Sequence, residues 1–333
     1  MLADMIERLL ERHLDDGAQT RARQGEWLAS IWVEVEEMGL PLALLSEEQG
    51  GFGLDPAEQG EALRLLGRHA VPLPLAETMG ANRLLAQAGL PVAEAAAGLA
   101  RADHVTVIDG KLTGEVARVA WGDNLDCLAL AVGDTLYRVP RAGWQVAEAG
   151  HALNFQPRPT LAIDWPISKL GGASAPLPHC PLAEGATVRA FQIAGALGAA
   201  LDMTIEHTST RVQFGKTLSK FQAVQHELAK LAGEVACATA AADLAAEALA
   251  RGDLLGVAAG SLRAREAAGA GASIATQMHG AIGFTREHRL HLYTTSLWTW
   301  RDDFGGQVAW AKLLGQAALA AGGTGYWPMV TAL

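Results

Sequence analysis

Three stretches in the second half of the chain, 188–211, 219–250 and 253–280, each keep helical periodicity for about 25 to 30 residues, a length typical of a helix bundle. Helices of that length must bury a face on one another, and their abundant alanine and glycine let the axes approach closely. The first 99 residues also read as helical. Ile6, Leu9, Leu10 and His13 share one face, and Trp27, Ile31, Trp32 and Val35 share another. Between two of these helices, SEEQGGFGLDPAEQGEAL places Gly50, Gly51 and Gly53 in a turn. Asp55-Pro56 then supplies an N-cap followed by a first-turn proline, so a new helix is expected there. From 101 to 167 the pattern changes to short runs rich in Val, Leu and Thr: HVTVI, CLALAV, TLYRV and TLAIDW, separated by Gly, Asp or Pro. The proline- and glycine-bearing segment 168–181 reads as an exit linker. The expected class is α+β, with an N-terminal helical domain over 1–100, a small central β domain over 101–182 and a C-terminal four-helix-bundle domain over 183–333.

Composition narrows the functional classes. Half of the 333 residues are apolar and 19% are charged, which excludes a disordered chain. A net charge of −10 argues against nucleic acid or an anionic membrane surface as partner, since both call for excess Lys and Arg. The opening MLADMIERLLERHLDD carries acids throughout and reads as an amphipathic helix, not a secretory signal. The longest apolar runs, such as 194–201, fall short of the roughly 20 residues a membrane span needs, so none is expected. Cys127, Cys180 and Cys237 are widely separated and suggest neither a disulfide framework nor a metal cluster, which fits a reducing cytoplasm. His226, His279, His288 and His291 show no metal-ligand grouping with Cys or acids, and no metal is expected. A Gly-x-Ser-x-Gly elbow and a P-loop are both absent.

Three segments together, PLALLSEEQGGFGL, RVQFGKTLSKFQAVQHELA and QMHGAIGFTREHRLHLY, resemble the acyl-CoA dehydrogenase family over nearly the whole chain, with a shortened β domain. The resemblance implies FAD as cofactor and an acyl-CoA thioester as substrate. In that reaction a carboxylate takes the proton beside the carbonyl while a hydride leaves the next carbon for the flavin. Arg211 matches the arginine that reaches the FAD diphosphate, where a planar guanidinium suits bidentate bonds. Gln213 and Phe214 match neighbours on the adenine side. Gln222 matches a cofactor-contacting glutamine, Gln277 one that meets the diphosphate, and Gly280 a glycine that lets the main chain approach the cofactor. The resemblance also implies an oligomer, homomeric or with a related subunit, and an electron-transfer flavoprotein or similar acceptor.

This sequence departs from the family pattern in several places. Gly280-Ala281 stands where two glycines are usual. Phe304, followed by Gly305, occupies the common position of the catalytic glutamate, and Gly185 the other known position. A slip of one residue brings in Glu184 or Asp303 as base candidates, although one residue is a rotation of about 100° on a helix. Arg118 and Ala120 stand at the places of the usual flavin-shielding tryptophan and threonine, with Trp121 nearby on another face. Three readings stay open: an FAD-dependent acyl-CoA dehydrogenase, a non-catalytic FAD-site subunit of a heteromeric one, and a helical scaffold that has lost the flavin.

Overall fold

The computed structural model describes residues 2–102, 104–170 and 172–331. Five helices come first: α1 (Leu2–His13), α2 (Asp16–Arg23), α3 (Ala29–Glu37), α4 (Pro56–Arg68) and α5 (Leu75–Gln87). Eight strands follow: β1 (Ala97–Arg101), β2 (His104–Ile108), β3 (Lys111–Val116), β4 (Cys127–Val132), β5 (Thr135–Pro140), β6 (Trp144–Glu148), β7 (Thr160–Pro166) and β8 (Ser174–Pro176). After α6 (Pro181–Thr210) comes a hairpin of β9 (Val212–Gln213) and β10 (Lys216–Thr217). Four helices close the chain: α7 (Gln222–Arg251), α8 (Leu254–His279), α9 (Leu290–Asp302) and α10 (Gly306–Thr331), the last broken at Gly322, where φ is +66°. The chain divides into two compact units, one of residues 1–59 and 71–188, the other of 60–70 and 189–333.

In the first unit, α1 buries Ile6, Leu9 and Leu10 of the predicted stripe together with Leu2, while His13 is half-buried. Asp15 caps α2 by accepting from the Ala18 amide at 2.7 Å. Trp27 lies outside α3, which begins only at Ala29, and its ring packs 5.1 Å from Trp32 and 5.3 Å from Trp121. Asp55 accepts from the Glu58 amide at 2.9 Å and Glu58 accepts back from the Asp55 amide at 3.2 Å, a reciprocal cap that starts α4 at Pro56. The strands form two four-stranded sheets in the orders β1-β4-β5-β8 and β2-β3-β7-β6. The second is wholly antiparallel, with Leu112 opposite Trp165, whereas β1 runs parallel to β4 with Leu99 opposite Ala129.

β1 departs from the helical reading of residues up to 99. Its sequence AGLAR contains no β-branched residue, so local propensity does not announce a strand. Tertiary partners impose it: β4 on one side, and the Thr78 hydroxyl of α5, which accepts from the Ala97 amide at 3.1 Å. β8 likewise forms inside the segment read as a linker, by pairing Ser174 with Tyr137 of β5.

In the second unit, α8 is the buried helix, packed against α7, α9 and α10. Asp253 starts it by accepting from the amides of Leu255 at 3.0 Å and Gly256 at 3.1 Å. Small residues set the spacing. A Cβ on Gly260 would strike the Ala241 carbonyl of α7, and one on Gly271 the Leu197 side chain of α6. Among the described residues no helix is long and apolar enough to cross a membrane.

Candidate functional site

At the end of α6 the chain turns through the β9–β10 hairpin, whose corner residues Phe214 and Gly215 take φ of +51° and +78°. Two successive left-handed residues make the tight turn whose twist matches paired strands. The hairpin stands beside the C-terminal end of α8, where His279 closes the helix and Gly280 leaves it with φ +66° and ψ −142°. L side chains rarely adopt that conformation, so the glycine is required by the backbone. Between these two termini lies a cavity of about 480 Å³ whose walls include Arg211, Gln213, Gln277 and Gly280. Gln277 also borders two neighbouring cavities, of about 580 Å³ toward α7 and about 500 Å³ toward α9.

Four of the six residues singled out for cofactor binding thus share one wall. Phe214 and Gln222 do not line that cavity. Phe214 is 91% exposed at the hairpin corner, edge-on to Phe221 at 6.3 Å. Gln222 is the exposed first residue of α7. Arg211 is exposed, and its guanidinium enters no ion pair among the described residues. His207, one helical turn before Arg211, and His279 line the same cavity. The sequence carries two signals for this that a metal-ligand pattern does not capture: the four-residue spacing of His207 and Arg211, and the position of His279 two residues after Gln277.

The two carboxylates considered as bases are both held in ion pairs. Glu184, in the first unit, is fully buried; its Oε1 accepts from Arg83 Nε at 2.8 Å and its Oε2 meets His179 Nε2 at 3.0 Å. Burial alone would raise its pKa, but the charge and hydrogen bonds of Arg83 and His179 outweigh burial and hold the carboxyl below its ordinary value. Asp303, in the second unit, is the C-cap residue just after α9 and is 7% exposed. Its Oδ2 accepts from Arg189 Nε at 2.9 Å, and Arg265 Nη2 donates to its carbonyl at 2.6 Å. Burial lowers Arg265 to about 10, so it remains a cation at neutral pH. Phe304 lies with its ring centroid 5.5 Å from the Arg189 guanidinium. Trp121, near the usual shielding position, is a core residue whose indole donates to the Pro72 carbonyl at 2.8 Å.

Residues 1–94 match the family model described as acyl-CoA dehydrogenase, N-terminal domain, and residues 179–298 the one described as acyl-CoA dehydrogenase, C-terminal domain. The acyl-CoA dehydrogenase IpdE2 of Mycobacterium tuberculosis is 30% identical over 302 residues, which cover 88% of each chain. The chain belongs to the acyl-CoA dehydrogenase family. Solved structures agree on the fold. A chain of the ChsE4-ChsE5 complex from Mycobacterium tuberculosis superposes with a TM-score of 0.80 at 21% identity, over 96% of both chains. A chain of the Tcur3481-Tcur3483 steroid ACAD G363A variant gives 0.81 at 22% identity, over 96% of this chain and 98% of that one.

Within an acyl-CoA dehydrogenase, the donors on the cavity wall can be tested against FAD. Arg211 supplies a guanidinium without an ion pair, Gln213 and Gln277 supply amides, and no carboxylate lines the wall. His279 Nε2 is buried without a hydrogen-bond partner. Such a set suits phosphate oxygens, so it fits the diphosphate of FAD.

Proposed function

We propose that this chain is the FAD-site subunit of a heteromeric acyl-CoA dehydrogenase, in which a related chain supplies the base that removes the α-proton of the acyl-CoA thioester. The observation that carries this reading is the state of the two carboxylates. Glu184 and Asp303 are each buried in an arginine pair, while Arg211 faces a cavity with no acid in its wall. A base must reach the proton it removes, and a carboxylate held as an anion by a paired guanidinium is a weak one.

FAD, when bound, would supply the hydride acceptor. The chain's own residues bind and orient it: Arg211 engages the diphosphate, and Gln213 and Gln277 fix its approach with neutral donors. Gly280 leaves the helix end open, since nothing lies within 4 Å of where its Cβ would stand. Support for a mixed assembly comes from two similar structures, the ChsE4-ChsE5 complex and the Tcur3481-Tcur3483 steroid ACAD variant. By that likeness, bulky polycyclic acyl-CoA thioesters are the first substrates to try, with an electron-transfer flavoprotein or similar acceptor completing turnover.

The site is tested by measuring FAD retained after gel filtration of the wild type and of Arg211→Ala. Loss of a charge-assisted contact worth about 1.5–3 kcal/mol predicts an affinity lower by about 10- to 100-fold. Unchanged FAD content would remove Arg211 from the site. Reduction of the flavin by the isolated chain would instead assign proton removal to Asp303 or Glu184.

A further inference from the structure

His207 on α6, His279 at the end of α8 and His288 before α9 converge in the second unit. The His207 and His279 rings stack at 4.5 Å and 22°; His288 stands 4.7 Å from His279 and 6.3 Å from His207. The local hydrogen bonds fix where the protons sit. His279 Nδ1 lies 2.8 Å from the Ala275 carbonyl, which can only accept, so Nδ1 carries the proton and the neutral ring presents a bare Nε2. That Nε2 is buried and has no hydrogen-bond partner, and the His279 side chain is 5% exposed. His288 Nδ1 accepts from the Leu290 amide at 3.1 Å, so the proton of its neutral ring is on Nε2.

The charges that act on His207 and His279 are those of Arg211 and of the cluster's own rings. Burial first, and then the charges of His207 and His288, lower His279 to about 4 against the bond to Ala275. Burial, His288 and Arg211 lower His207. In the absence of a ligand, His279 is therefore neutral at pH 7. No grouping among the described residues has the geometry to hold a metal ion. A neutral donor could meet the Nε2 lone pair but would leave Arg211 without a counter-charge. A diphosphate answers both needs, since it neutralises Arg211 and rewards an N–H at Nε2.

We propose that the His207–His279–His288 cluster is the proton-accepting half of an anion site whose fixed-charge half is Arg211. As a diphosphate enters the cavity, His279 takes one proton from solvent at Nε2 and donates that N–H to a phosphate oxygen. No other bond forms or breaks, and the proton returns to solvent on release. The inference rests on the reading of the Arg211 cavity as the FAD diphosphate site. His279 is accordingly a binding residue for the cofactor, with the rings of His207 and His288 packed around it.

The test is calorimetric titration of FAD, and of riboflavin as a probe without phosphate, into flavin-free full-length protein in the assembly in which it purifies. Runs at several pH values between 6 and 8.5, in buffers of different ionisation enthalpy, give both the affinity and the protons taken up. The diphosphate of FAD does not itself titrate in this range. FAD is expected to take up about one proton and to bind at least about tenfold more tightly at pH 6 than at pH 8. Riboflavin should show neither effect. His279→Gln cannot titrate and should abolish both uptake and pH slope. His207→Asn removes the ring stacked on His279 and should move the pH at which affinity changes while leaving the slope in place, an effect a merely structural role would not produce.

Absence of proton uptake with FAD, or a pH slope that survives in His279→Gln, overturns the role of the cluster. If Arg211→Ala still loses FAD in that case, the diphosphate reading stands without the cluster. If Arg211→Ala binds FAD like the wild type, both fall. Should His279→Gln fail to fold, the wild-type uptake and the His207→Asn shift decide.

Discussion

Glu184 shows how far a single residue's role depends on partners that are distant in sequence. Its guanidinium partner, Arg83, lies 101 positions earlier, and the Arg189 that holds Asp303 lies 114 positions before it. The pairing has a testable pH signature. The folded-state pKa of Glu184 is below the ordinary value of 4.5, so its stabilising contribution is present above pH 4.5 and is lost as the pH falls through the folded pKa. Arg83→Met would leave a buried carboxylate with His179 alone. We expect a loss of about 3–5 kcal/mol at pH 7, narrowing toward pH 4 as the carboxyl protonates. Urea unfolding of both proteins at the two pH values checks this, and an equal difference at both would contradict the assignment. The sequence reading puts Phe304 and Gly185 at the places of the family's glutamate. It could not show that the neighbouring acids are engaged, because local pattern carries no information about contacts a hundred residues apart. Arg211, Gln277 and Gly280 could be singled out because each sits in a short motif, whereas His207 emerged only when helix ends from different parts of the chain met.

At the scale of elements, the long helices followed from their periodicity and cap residues. α4 begins at the Asp55-Pro56 signal, and α8 begins just after Asp253. Elements made by tertiary pairing, such as β1 and β8, escaped the sequence reading because their own residues do not favour strands. Close helix contact makes a specific prediction within the second unit. A Cβ on Gly67 of α4 would overlap the backbone of Gln192 on α6, and one on Gly195 of α6 the backbone of Arg64. Backbone cannot yield as a flexible side chain can. Gly67→Ala should therefore destabilise the protein by about 1–3 kcal/mol despite its better helix propensity. Thermal unfolding measures the effect, and a rise in midpoint would show that α4 and α6 have room to separate.

At the scale of the molecule, the exposed apolar residues point outward to partners. Phe214, Phe284, Val308, Leu319 and Trp327 are 91%, 76%, 82%, 84% and 68% exposed, and α10 carries one charged residue, Lys312, in its 26. Large apolar side chains this exposed are expected to be covered by association. Light scattering should report at least two chains per particle at micromolar concentration, and a stable monomer would argue against the assembly proposed. The central claim is that this acyl-CoA dehydrogenase chain contributes the flavin's anion site and not the base. It is tested most directly by following the visible spectrum of the FAD-loaded protein under anaerobic addition of acyl-CoA thioesters, with the chain alone and with a co-purified, base-bearing relative. The account predicts bleaching of the flavin bands only in the mixed assembly. Bleaching by the isolated chain would contradict it.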